Sequence, residues 1–221
     1  MISILIPIYN GIEFINDSVI SIWQQTYKEW ELLIGINGHP PDSDVYKTAS
    51  KYIDLAPDKI RVFDFYTIRG KSNTLNEMIK HCTYDYVAIL DVDDVWHPAK
   101  LTLQSVYLHS YDVIGTKCMY IGDMHGHGPE IPTGDISEFD FSLFNPIINS
   151  SAIIKKELCD WEGDGVEDYD LWLRLRNQNK KFFNIDHILV QHRIHSNSAF
   201  NANGNQNLVP GLLIKHGYQA K

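Results

Sequence analysis

Three observations predict an α/β domain with a mostly parallel central sheet and helices on both faces. β-branched runs alternate with amphipathic stretches through the first hundred residues, at a spacing that leaves room for a crossover helix between successive strands. The apolar run Tyr86–Leu90 stops abruptly at Asp91-Val92-Asp93-Asp94, as a buried strand does when it reaches the edge of a sheet. A second acidic group, Glu167-Asp168-Tyr169-Asp170, opens an amphipathic stretch.

The elements follow in order. Ile2–Ile8 reads as a strand and Gly11–Gln25 as a helix, with Ile12, Ile15, Val19, Ile22 and Trp23 on one face. Glu31–Ile36 is the next strand, closed by Asn37-Gly38 and a Pro-Pro turn before a helix near Asp44–Asp54. Ile60–Phe65 is a third strand and Gly70–Cys82 a third helix. Tyr86–Leu90 precedes a helix running from Pro98 to His109. After a strand at Val113–Met119, residues 120–145 are rich in Gly, Pro, His and acids, and read as a long excursion on the acceptor side. Ile147–Ile154 resumes as a strand, Asp168–Asn179 is a helix, and Phe182–Val190 supplies one or two short strands. The Asn- and Gly-rich tail from Asn197 reads as loosely held.

A chain of 221 residues suits one domain, and no linker divides it. The expected division is a ligand-binding half over residues 1–110, an acceptor and catalytic half over 111–200 and a tail over 201–221. The net charge of −9 argues against nucleic acid as a partner, which would need a basic stripe. Cys82, Cys118 and Cys159 are odd in number and widely spaced, as befits reduced thiols in a cytoplasmic protein. No stretch has the length of a membrane span, so any membrane association would be peripheral.

The acids carry the chemistry. Alternate residues leaving a strand point to one side, so Asp91 and Asp93 can face one ligand, and two hard oxygen donors suit Mg²⁺ or Mn²⁺. The plainer reading of Asp94 is a cap for the helix after Pro98. Glu167, Asp168 and Asp170 lie in a first helical turn, where the helix dipole accounts for one acid more easily than for three, and a carboxylate there can serve as general base. His192-Arg193-Ile194-His195-Ser196-Asn197-Ser198 brings histidine, arginine and small hydroxyls out together, which suits anionic oxygens or a metal, although a histidine near a chain end is more often an exposed or hydrogen-bonded residue. Gly70-Lys71-Ser72 before a helix has the look of a phosphate cradle but not the spacing of a P-loop.

Read in order, Ile6-Pro7-Ile8-Tyr9-Asn10, Gln25-Thr26-Tyr27, Leu90–Pro98, Asn145–Ser151, Glu167–Leu175 and Arg193–Ser198 resemble family 2 glycosyltransferases, which have the GT-A (Rossmann-like) fold. The resemblance implies inverting transfer of a sugar from a nucleoside-diphosphate sugar to an acceptor hydroxyl, on a glycan, a lipid-linked or a protein-linked acceptor. It places Pro7, Tyr9 and Asn10 against the nucleotide, with Val92 between the two acids of the DxD motif. Asp91 would reach the ribose, and Asp93 would hold Mn²⁺ or Mg²⁺ at the diphosphate. His195 would approach that metal, Asp168 would be the base and Glu167 its neighbour. Lys71 and Arg193 would add positive charge near the diphosphate. One departure concerns the base: where the family usually has a pair of aspartates after the second strand, this chain has Gly35-Ile36-Asn37-Gly38, and Asn37 can still accept from a uracil ring through its amide oxygen. UDP-sugar is the expected donor.

Two other readings share the acids. A nucleotidyltransferase would carry a Gly-rich basic loop directly after the first strand, which Pro7-Ile8-Tyr9-Asn10-Gly11 is not. A sugar-nucleotide or glycan-binding module without turnover would have no use for both Asp93 and Asp168.

Overall fold

The computed structural model describes residues 1–196 and 205–218. Its elements are β1 (Ile2–Ile8), α1 (Ile15–Trp23), β2 (Trp30–Asn37), α2 (Asp44–Ser50), β3 (Ile60–Phe65), α3 (Lys71–Lys80), β4 (Tyr86–Ile89), β5 (Val95–Trp96), α4 (Lys100–Ser105) and β6 (Val113–Gly122). β7 (Gly126–His127), β8 (Gly134–Asp135), β9 (Ile153–Lys155), α5 (Glu167–Asn177), β10 (Phe182–Ile194) and α6 (Asn205–Lys215) follow.

The strand order is β3-β2-β1-β4-β9-β6-β10-β5, with β7 on β6 and β8 on β10. The first four strands are parallel and are joined by helices, as strand–helix alternation requires. β9 then runs antiparallel between β4 and β6, while β6 and β10 form a long parallel pair. The sheet separates two cores by simple alternation. Ile2, Ile4, Ile6 and Ile8 join Ile15, Val19 and Ile22 of α1 on one face. Leu5, Leu33, Val87 and Ile89 meet α3 and α5 on the other. Because both faces are covered, the carboxyl edge of β1, β2 and β4 is the place where polar residues can gather.

Several expectations needed correction. Trp23 is 45% exposed and does not share the buried stripe of α1. Only Ile153–Lys155 of the expected strand 147–154 pairs, because a 3-10 turn occupies Asn149–Ser151. Phe182–Ile194 is one long strand whose register shifts near residues 185–190 let it bend rather than break. Of the tail, residues 197–204 and 219–221 lie outside the described residues, and residues 205–218 are described. α6 packs Leu212 and Leu213 into the second core, and Lys215 and His216 reach Asp170 at 2.8 and 2.9 Å. Cys82 and Cys118 are buried free thiols, pushed by burial to about 11 and about 12 respectively.

Candidate active site

β4 stops at Ile89, and the chain turns at once: the Asp94 amide donates to the Asp91 carbonyl at 3.0 Å. Asp91 and Asp93 therefore leave on a turn, and strand alternation is not what positions them. Asp91 looks toward α3 and the 149–151 turn. Its Oδ1 lies 2.6 Å from Lys71 Nζ, and its Oδ2 accepts from Asn149 Nδ2 at 3.1 Å and Ser150 Oγ at 3.3 Å. Burial works to raise this carboxyl, but Lys71 and its hydrogen bonds prevail and hold it below the usual carboxylate range.

Asp93 turns the other way. Its Oδ2 lies 3.0 Å from His195 Nε2, whose ring also rests against Phe14 with centroids 5.0 Å apart. Burial, then the neighbouring charges of Asp94 and Asp91, raise the Asp93 carboxyl above its ordinary value. Asp94 caps no helix, since α4 begins at Lys100. It is fully buried, with both oxygens 3.0 Å from His192 Nδ1, and its Oδ1 accepts from the Arg193 amide at 2.8 Å. A charge can thus stay inside when it is paired, and this pair pins β10 to the acidic turn. Arg193 serves the same turn: Nε donates to the Asp93 carbonyl at 2.8 Å, and its other end reaches Asp17 at 2.8 Å. Residues Asn197 and Ser198 of the sequence motif lie outside the described residues.

At the end of β1, Pro7 is buried within the sheet opposite Gly35, while Tyr9 and Asn10 are exposed. Val92 packs tightly on Gly11, where a Cβ would come within 2.9 Å of Val92 Cγ1. The Tyr9 ring lies over Gly38, which has φ +72° and no room for a side chain, and next to the His39 ring at 5.5 Å. Asn37 is 3% exposed; its Nδ2 donates to the Ile8 carbonyl at 3.1 Å, so its Oδ1 is the end that accepts.

α5 brings the second acidic group to the cleft. Glu167 is 7% exposed, accepts from the Gly165 amide at 2.7 Å and lies 3.6 Å from Lys71 Nζ. Lys71 therefore ties Asp91 of one half to Glu167 of the other. Asp168 Oδ2 accepts from Asn145 Nδ2 at 3.0 Å. Burial and then the Glu167 charge raise the Asp168 carboxyl to about 6, and Lys71 opposes them. Asp170 has a structural task instead, surrounded by Arg174, Lys215 and His216. Sequence reading gave no role to Asn145, Asn149 or Ser150, which only their place inside the matched segments marked. His192, read with Arg193 and His195 as suited to anionic oxygens or a metal, pairs with Asp94.

Solved structures of the same shape include S. aureus TarS in complex with UDP-GlcNAc, at TM-score 0.75 and 13% identity over 96% of this chain. The Pyrobaculum calidifontis mannosyltransferase PcManGT in complex with GDP-Man and Mn²⁺ matches at 0.72 and 14% over 97%. This chain spans 66% and 62% of those two chains. The fold is thus the GT-A fold of glycosyltransferases. Residues 3–205 match the family model described as Glycosyl transferase family 2, and the chain belongs to that family. A relative from Escherichia coli, the O-antigen biosynthesis glycosyltransferase WbnJ, is 28% identical over 210 residues, which are 90% of this chain and 82% of that protein.

Proposed function

We propose that this glycosyltransferase moves a sugar from a UDP-sugar to an acceptor hydroxyl with inversion, using Mn²⁺ or Mg²⁺ and Asp168 as general base. The observation that carries this reading is a carboxyl raised to about 6, facing across Lys71 a carboxylate held ionised. Environments that push two acids apart in this way separate a proton-accepting role from a binding role.

Asp168, held through Asn145, takes the proton of the acceptor hydroxyl. The acceptor oxygen then forms its bond to the anomeric carbon as the bond to the nucleoside diphosphate breaks, and that group leaves with the electron pair. Asp91 receives a ribose hydroxyl. Asn37 Oδ1 accepts an imide N–H, which uracil offers and adenine and cytosine do not. Tyr9 and Asn10 flank the nucleotide on the floor made by Pro7 and Val92, with Lys71 and Arg193 supplying positive charge nearby.

The residues fit a divalent cation. Asp93 is a carboxyl raised by neighbouring acids, and His195 is paired with it. Among the described residues no three His, Cys, Asp or Glu side chains form a closed metal cage, so phosphate oxygens and water would complete the set. When bound, the cation offsets the negative charge that develops on the leaving diphosphate.

TarS solved with UDP-GlcNAc and PcManGT with GDP-Man and Mn²⁺ support a sugar-nucleotide donor and a divalent ion. WbnJ, named for O-antigen biosynthesis, supports a glycan acceptor. Among the described residues no helix is long and apolar enough to cross a membrane. Calorimetry of nucleoside diphosphates and their sugars, with and without Mn²⁺, tests the donor. The reading expects a metal-dependent preference for UDP that Asp93→Ala abolishes. Metal-independent binding, or equal binding of all bases, would contradict it.

A further inference from the structure

The 149–151 turn, which gives Asp91 two of its three side-chain partners, is itself gripped from behind. Trp96 Nε1 donates to the Ser150 carbonyl at 2.7 Å, and Gln104 Nε2 donates to the Ser151 carbonyl at 2.8 Å. Both grips meet at Lys100. This lysine is completely buried; its Nζ lies 2.7 Å from Gln104 Oε1 and 3.9 Å from the centre of the Trp96 ring. Among the described residues no carboxylate contacts it. A buried ammonium without a counter-ion is costly, and burial drives it well below the ordinary lysine range. Nothing in the transfer chemistry uses it.

We propose that Lys100 is a positioning residue. Through Gln104 and the Trp96 ring it fixes the 149–151 turn, so that Asn149 Nδ2 and Ser150 Oγ hold Asp91 in the orientation that receives the donor. The inference rests on the donor-binding reading of Asp91.

The links follow from the donors and acceptors. Gln104 spends its NH₂ on backbone carbonyls, so its Oε1 is the end that faces Lys100 and accepts an N–H, which the lysine offers in either protonation state. That NH₂ is shared between the carbonyls of Ser151 and Ile114, both at 2.8 Å, which ties the turn to β6. The Thr116 amide donates to Ser151 Oγ at 3.0 Å and adds a second tie to the same strand. With the turn so fixed, Ser150 Oγ accepts the Asp91 amide at 3.1 Å and meets its carboxylate at 3.3 Å. Asp91 is then held on Oδ2 by neutral groups that stay in place. Among the described residues Oδ1 has a single partner, the partly exposed Lys71, which can exchange for a ligand.

The test is a double-mutant cycle on the full chain with UDP and Mn²⁺ as the calorimetric probe. Ser150→Ala should weaken UDP about tenfold, as loss of a hydrogen bond to a charged group does. Lys100→Met should weaken it several-fold, and the double variant should lose clearly less than the product of the two single losses, because Asn149 is the one arm left for Lys100 to act through. The acceptor KM should stay unchanged throughout, which a merely destabilised protein would not ensure. Losses that multiply, or a folded Ser150→Ala chain with undiminished affinity, would overturn the proposal. Trp96→Phe, which keeps the ring and removes Nε1, replaces Lys100→Met if that variant does not fold. Hydrogen exchange of the Asp91 amide separates the two claims. Faster exchange in Lys100→Met supports the anchor even if wild-type protein binds no nucleotide, a result that would refute the donor reading. Unchanged exchange would overturn the anchor.

Discussion

Lys71 Nζ lies 2.6 Å from Asp91 Oδ1 and joins two halves of the chain whose acids would otherwise repel. The same ammonium lies 3.6 Å from Glu167 and lowers the Asp168 carboxyl against burial and Glu167, which raise it. One lysine thus keeps Asp91 ionised and limits how far Asp168 rises. Lys71→Met should move the acid limb of the pH–rate profile to higher pH, because Asp168 loses the charge that lowered it. It should also raise the donor KM. Transfer rates measured between pH 5 and 9 check this, and an unmoved limb would count against Lys71 as the opposing charge.

Asp94 and His192 form the buried pair that attaches β10 to the acidic turn. Removing one partner leaves the other buried without a mate, so Asp94→Ala should cost about 3–5 kcal/mol in urea unfolding, far more than an exposed pair would. Burial works to lower the His192 imidazole, but Asp94 prevails and raises it. A histidine raised in the fold adds stability that is fully present below its unfolded pKa near 6.5 and is lost as pH rises through its higher folded value. His192→Gln should flatten that slope above about 6.5. An unchanged slope would assign it to another group.

Asp168 has a linkage of the same sign. Its carboxyl is raised to about 6 in the fold, so the cost of ionising it is absent below the ordinary carboxylate range, builds as pH rises toward 6 and is complete above it. Asp168→Asn should therefore stabilise the protein by on the order of 1 kcal/mol at pH 8 and leave it unchanged at pH 4. Thermal unfolding at the two pH values checks this. Equal Tm differences at both would mean that the carboxyl is not held up by its surroundings.

Much of this was legible along the chain. The strand Ile60–Phe65 has the bounds its apolar run suggested, and the acids after Tyr86–Leu90 lie at the sheet edge because both faces of the sheet are covered. Local pattern could not show what depends on distant partners. Asp94 reads as a helix cap until His192, 98 residues away, is brought beside it. Asp170 reads as one more acid of the site until the end of α6 and the residue after it supply Lys215 and His216. The turn inside 147–154 was hidden because Ile147, Ile148, Ile153 and Ile154 have the β-branched composition of a strand, while its course is set by Trp96 and Gln104. Asn145 carries no signal of its own, since an amide becomes a positioning group only through the carboxyl it meets.

The most direct test of the central claim is the rate of sugar transfer by Asp168→Asn beside its affinity for UDP-sugar. General-base catalysis is worth about 10²–10⁴-fold, so the variant should lose transfer by that factor while it binds donor and Mn²⁺ within a few-fold of the wild type. Near-normal transfer by a correctly folded Asp168→Asn protein would contradict the assignment of the base.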